Sequence, residues 1–350
     1  MGRTMRGFGF SAHGGLDRLT YVEIPEPDPG PGEVRIRIRA AAFNHLDRFT
    51  LEGIPGLSLP LPHVLGSDGA GTVDRVGAGV EDLPVGAKVL LNPGMWDGTC
   101  PACLSGREAL CRNYRILGEH VQGTVTTFAL MPRRNVHLLP ERMSFGEGAA
   151  APLVFETAWR ALRTVGEVQA GDRVAVVGAG GGVPTAAVQV AKLLGARVAV
   201  VSRSPAKEGK TLALGADAFL PITDERPLDR SLWEWSEKKG VDVVLDSVGA
   251  PTLARSVRAL SRAGRVVVIG ASAGPNVDLD VRTLFWRQAS VRGSTMASRG
   301  EFDEVLSHLA AGRLHAVVDS ERPFERAAEA FARFDAPDLF GKIVVEGPRP

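Results

Sequence analysis

Four segments in the second half of the chain leave almost no polar face to water: Arg173-Val-Ala-Val-Val177, Arg197-Val-Ala-Val-Val-Ser202, Val241-Asp-Val-Val-Leu-Asp246 and Arg265-Val-Val-Val-Ile269. A strand without polar alternation must be covered on both faces, and that is the condition of a parallel sheet between two layers of helices. The intervening residues have the matching helical signals. Pro184 opens one helix, to Leu194, with Gly195 to end it, and Pro205 opens a second, to Leu214, stopped by Gly215; a third spans Thr252 to Arg262. Shorter strands at Ala218-Phe-Leu220 and Ala289-Ser-Val-Arg-Gly293 bring the count to six. The expected fold class is α/β, a doubly wound parallel sheet of Rossmann type over residues 141–299.

Between the first of these strands and its helix lie Gly178, Gly180, Gly181 and Gly182, then Val183 and Pro184. Glycines there let the backbone approach a pyrophosphate resting on a helix N-terminus, so the loop is expected to hold a dinucleotide, although no third spaced glycine completes the usual fingerprint. An NAD site places Asp or Glu at the end of the second strand to bind the ribose hydroxyls. Here that stretch reads Ser202-Arg203-Ser204-Pro-Ala-Lys207, with no carboxylate before Glu208. A hydroxyl with one or two cations suits a 2′-phosphate, so NADP(H) is favoured over NAD(H).

The first part of the chain is different. It is rich in Gly and Pro, and Glu33-Val-Arg-Ile-Arg-Ile-Arg39 alternates polar with apolar residues, so its arginines are expected on a solvated strand face. Further short strands at Gly71–Val76 and Ala87–Leu91 point to a mostly antiparallel β domain. Helices near Glu301–Ala311 and Phe324–Phe334 and a last strand Lys342-Ile-Val-Val345 are more than the parallel sheet needs, and are assigned to the β domain: residues 1–140 plus 300–350. Trp233 and Trp235 fall on an outer helix, where packing or a subunit contact is expected.

Lys and Arg total 41 against 40 Asp and Glu, a net charge of +1, so the chain has no field to hold nucleic acid or an acidic membrane. No apolar run is long enough to span a bilayer, and the opening residues lack the apolar core of a secretion signal, so a cytoplasmic protein is expected. Its three cysteines, packed between Cys100 and Cys111, have metal-ligand spacing rather than that of a disulfide framework. Asp97-x-x-Cys100-x-x-Cys103-x7-Cys111 supplies four ligands for one structural zinc.

Taken together, the sequence resembles the medium-chain dehydrogenase/reductase superfamily, the zinc alcohol dehydrogenases and quinone oxidoreductases. The likeness rests on Ala42-Phe-Asn44-His-Leu-Asp47, the segment His63 to Gly77 with Gly66-Ser67-Asp68, Gly86-Ala-Lys-Val89, the cysteine loop, Thr157-Ala-Trp159, the glycine loop with Gln189-Val-Ala-Lys192, Asp246-Ser-Val-Gly249 and Gly341-Lys-Ile-Val-Val345. It implies a GroES-like β domain completed by the C-terminus, an active site in the cleft against the Rossmann domain, a structural zinc lobe, and homodimers or homotetramers. Thr157, Gly270, Ala271, Thr295 and Lys342 are implied cofactor neighbours.

The departures from that family narrow the function. Where the zinc alcohol dehydrogenases hold a catalytic metal with Cys, His and Cys, this chain has Asn44, Ser67 and Leu153, none a good zinc ligand. The relay hydroxyl of those enzymes is matched by Leu46. The expectation is an NADPH-dependent reductase that passes hydride to a quinone or to an activated C=C or C=O, a small-molecule substrate, without catalytic zinc. Asn44 is expected to bond the nicotinamide ribose or the substrate oxygen, Asp47 to orient its neighbours, and His45 or water to supply the proton. Two alternatives stand beside it: an alcohol dehydrogenase with zinc on a different set around His45, Asp68 or His120, with His63 and Glu119 as further candidates, and a non-catalytic NADPH-binding protein.

Overall fold

The structure is a computed structural model and describes residues 3–349. It forms two compact units: the chain up to Leu153 together with the chain from Ser298 onward, and Val154–Ala297 between them. The first unit thus runs on past residue 140. Ser144 caps the helix Phe145–Ala150, accepting from the Glu147 N–H at 3.2 Å while Glu147 accepts from Ser144 N–H at 2.8 Å. The helix packs Ala149 and Ala150 against Ala40, Ala42 and Ala70, which ties it to the β sheet.

That sheet has the strand order Val136–Leu138, Lys88–Leu91, Asp68–Val76, Glu33–Phe43, Lys342–Glu346, Val318–Arg322, with Phe128–Pro132 also paired to Glu33–Phe43. The C-terminal strand therefore completes the N-terminal sheet. It runs antiparallel to Glu33–Phe43, Ile343 opposite Phe43 and Val344 opposite Ala42, and this register brings Lys342 to the end of the strand where Asn44 begins the next turn. Val34, Ile36 and Ile38 are buried as the alternation predicts.

Arg35 corrects the reading of a solvated arginine face. It is buried, with ion pairs to Asp74 at 2.6 Å and Glu26 at 2.9 Å and its guanidinium 4.5 Å from the Phe128 ring. The segment from Glu26 and the strand Phe128–Pro132 cover what alternation alone assigns to water.

In the second unit six strands pair in parallel in the order Ala218–Pro221, Arg197–Ser202, Arg173–Val177, Val241–Asp246, Leu260–Val268, Ser290–Gly293. The order turns back at Arg173–Val177, so a crevice opens at the C-terminal end of that strand, where the helix Gly182–Leu193 starts. Two helices are shorter than expected. Pro205–Leu214 resolves into a tight turn, Pro205–Lys207, and the helix Glu208–Ala213. Thr252–Arg262 is helical only over Leu253–Ala259, because Leu260 is fully buried and pairs with Val241, so the next strand begins where the helix was expected to continue. Among the described residues no helix is long and apolar enough to cross a membrane.

Candidate functional site

Asn44 ends the strand Glu33–Phe43 and caps the helix His45–Glu52, its backbone N–H donating to Asp47 Oδ2 at 2.7 Å. Asp47 Oδ1 accepts from Gly66 N–H at 2.6 Å, which pins the segment Gly66-Ser67-Asp68 against the same helix. The Asn44 side chain is held from both ends. Its Nδ2 donates to Asp68 Oδ2 at 2.9 Å, and Lys342 Nζ donates to its Oδ1. Lys342 also donates to Asp68 Oδ2 at 2.7 Å, while Asp68 Oδ1 accepts the Leu153 N–H at 2.9 Å. Asn44, Asp47, Asp68 and Lys342 are all buried.

The arrangement has chemical consequences. Lys342 and Asp68 neutralise each other away from water, as a buried pair must. Asn44 is locked in one orientation, with its amide oxygen and one N–H taken and a single N–H left to donate. The Ser67 hydroxyl, fully buried, has no hydrogen-bond partner. Burial pushes the Asp47 carboxyl up to about 7 against the pull of the two backbone N–H groups that donate to it. Asp47 therefore caps and braces. Asp68, which the sequence offered only as a candidate ligand of an unconventional zinc, is instead the centre of the network, bonded to Asn44, Lys342 and the Leu153 N–H.

His45 stands open beside this group with its ring 4.9 Å from Phe334. Desolvation, then the charges of Arg48 and Lys342, lower its pKa. The other candidates for an unconventional metal site are engaged separately. His63 Nε2 donates to the Gly118 carbonyl at 3.0 Å, and His120 Nδ1 accepts the Ile116 N–H at 3.1 Å. Glu119 lies 3.7 Å from His120, its carboxyl raised to about 7 by burial and by Asp47. Among the described residues these side chains form no metal-holding group.

One group does. Ligand atoms of Asp97, Cys100, Cys103 and Cys111 all lie within 4.8 Å of one another, with Cys100 Sγ and Cys103 Sγ 3.5 Å apart. Asp97 Oδ1 accepts from the N–H groups of Thr99 and Cys100 and Oδ2 from Asn113 Nδ2, each at 2.9 Å, which fixes the carboxylate's position. Three buried thiols and one oriented carboxylate, converging on one point, suit the tetrahedral demand of zinc. A full set of four protein ligands leaves no open position for chemistry.

In the second unit, Gly178 and Gly180 have φ of +92° and +106°, a backbone that L side chains rarely adopt, and Gly181 caps the helix that follows. A Cβ at Gly178 would meet nothing within 4 Å, so the loop keeps open space there. Because the strands are parallel, Ser202, Gly270, Ala271 and Thr295 come at or after the same C-terminal edge of the sheet. Gly178, Ser202 and Arg203 line a cavity of about 440 Å³ whose walls also include Ile222–Asp224, Pro227–Leu228, Val248, Pro251, Thr252 and Arg255. Lys207 lies one turn on and does not line it, and Thr157 is buried on the helix Pro152–Trp159. Asp224 and Arg255, which the sequence reading did not include, do line it.

Comparison with known proteins adds to this geometry. The alcohol dehydrogenase GroES-like domain family matches residues 30–141, and the zinc-binding dehydrogenase family matches residues 182–311. An acryloyl-coenzyme A reductase of Sulfurisphaera tokodaii is 30% identical, covering 93% of this chain and 95% of that protein. The mouse quinone oxidoreductase is 30% identical over 83% of this chain and 82% of its own length. The crystal structure of an NAD-dependent alcohol dehydrogenase superposes with a TM-score of 0.93 at 41% identity, covering 98% of this chain and 99% of that one.

Proposed function

This chain belongs to the medium-chain dehydrogenase/reductase superfamily and is an NAD(P)-dependent oxidoreductase, and from that premise we propose that it reduces a quinone or an activated C=C or C=O with NADPH, without a catalytic zinc. The observation that carries the reading is the Asn44–Asp68–Lys342 network. With Ser67 and Leu153, Asn44 takes the places where a catalytic metal would need its ligands, and the network leaves one oriented N–H instead.

The nicotinamide supplies the hydride. The glycine loop binds the pyrophosphate through its backbone amides, and Arg203 pairs with the 2′-phosphate. Asn44 Nδ2 donates to the substrate oxygen on which negative charge builds up, held there by Asp68 and Lys342 so that no reorganisation is needed during the reaction. Water or His45 supplies the final proton. Thr157, Gly270, Ala271 and Thr295 are assigned to the cofactor, and Asp97, Cys100, Cys103 and Cys111 to one structural zinc. The unpaired edge of Ser290–Gly293, with exposed Phe285 and Trp286 on the preceding helix, is the surface assigned to a homo-oligomer.

The test is anaerobic NADPH oxidation by chelator-dialysed protein, with an ortho-quinone and an α,β-unsaturated ketone as acceptors. Turnover that survives dialysis is the expected result. Turnover of an alcohol that appears only when zinc is restored would replace this reading with the alcohol dehydrogenase one, and tight NADPH binding with no turnover would mark a non-catalytic cofactor binder.

A further inference from the structure

The second strand, Arg197–Ser202, ends without the carboxylate that an NAD site uses on the ribose hydroxyls, yet the cavity beside it does contain one. It comes from the next strand over. Ala218–Pro221 pairs in parallel with Arg197–Ser202, Pro221 opposite Ser202, and the loop that continues from it places Asp224 on the cavity wall. Ile222 N–H donates to the Ser202 carbonyl at 3.0 Å, which ties the loop to the strand that Arg203 follows, and Thr223 N–H donates to the Arg226 carbonyl at 3.1 Å within the loop. On the cavity wall, Arg203 Nη2 and Asp224 Oδ1 stand 3.5 Å apart, both side chains mostly in water at 77% and 92% exposure. The remaining charged wall is Arg255, held by one nitrogen to Asp229 at 3.0 Å.

We propose that Asp224 is a specificity-determining residue of this cofactor pocket: its carboxylate accepts the ribose hydroxyls of NADH and repels the 2′-phosphate of NADPH, so that the Arg203–Asp224 pair makes the pocket usable by both cofactors. The two ligands ask opposite things of the same pair. A ribose diol offers donors and is satisfied by the carboxylate. A 2′-phosphate offers only negative oxygens, which recruit the guanidinium and leave Asp224 as a like charge alongside. Both side chains are exposed and joined by a weak ion pair, so moving Arg203 from Asp224 to a phosphate costs little. The proposal deepens the NADPH reading above and rests on the pocket assignment made there.

The test is a set of dissociation constants for NADPH and NADH, read by calorimetry with the intact protein, for wild type, Asp224→Asn and Arg203→Gln. Asp224→Asn is expected to weaken NADH about tenfold, the loss of a charged acceptor. The same change should tighten NADPH about threefold to fivefold, the removal of an exposed like charge. Arg203→Gln should weaken NADPH alone. Equal shifts for both cofactors with Asp224→Asn, or none, would overturn the proposal. A wild type that prefers NADH would end the NADPH reading while leaving the opposed response to Asp224→Asn to decide this one.

Discussion

The polar groups of the two units are organised in opposite ways. Around Asn44 they are buried and bonded to one another: Asp68 alone meets Asn44, Lys342 and the Leu153 N–H. Around the glycine loop the groups proposed to bind the cofactor are backbone amides and exposed side chains such as Arg203 and Asp224, with open space at Gly178. A buried network is formed before any ligand arrives, and each charge in it depends on its partner. An exposed pair over a cavity is screened by water and free to exchange partners. The difference teaches that a buried, mutually bonded network holds its groups in place, while an exposed pair leaves its groups free to move.

The strongest way to break this contrast is Lys342→Met. It leaves Asp68 buried and uncompensated, and the unfolding free energy should fall by about 3–5 kcal/mol, measured by denaturant titration. A loss below about 1 kcal/mol would mean that the network is not interdependent. Next comes the zinc lobe: at free zinc a hundred times its dissociation constant the metal should stabilise the chain by about 2.7 kcal/mol. Elemental analysis should then find one zinc per chain, and none after Cys103→Ser.

Gly178→Ala tests the other unit. The added Cβ meets nothing, so the cost comes from the φ of +92° alone, about 1–2 kcal/mol. Displaced amides should weaken binding of both NADPH and NADH alike, in contrast to the opposed changes expected of Asp224→Asn. The smallest effect concerns pH. The Glu119 carboxyl, raised to about 7 from 4.5 by burial and Asp47, holds a proton in the folded chain that the unfolded chain has released between those values. Stability should therefore fall as pH rises from about 5 to 7, at no more than about 1.4 kcal/mol per pH unit from this group. Glu119→Gln should flatten that slope in denaturation curves taken at several pH values.

Much of the fold is legible along the chain because its signals are local. Arg173–Val177, Arg197–Ser202 and Val241–Asp246 lie where their apolar runs place them, since a strand covered on both faces shows its burial in every residue. Arg35 was misread for the complementary reason: what covers it lies outside its own strand, Glu26 in the preceding loop and Phe128–Pro132 far along the chain, and alternation carries no record of either. Leu260 likewise left the helix because of a partner strand. Of the candidate site, the glycine loop and the zinc ligands sit within short segments and could be read directly. Asp224 could not, because it reaches its cavity from a neighbouring strand.

The sequence by itself determined the α/β class, the glycine loop, the metal-ligand spacing of the cysteines and the lack of Cys and His at Asn44, Ser67 and Leu153. These follow from residue type and from periods of a few residues. Only the tertiary structure decided that Lys342 closes on Asn44 and Asp68, partners 298 and 274 positions away. It decided too that Arg35 is buried and that a carboxylate faces Arg203. Such contacts arise from strand register and from the cost of leaving a charge alone in the interior, and neither is written in any local stretch of the chain.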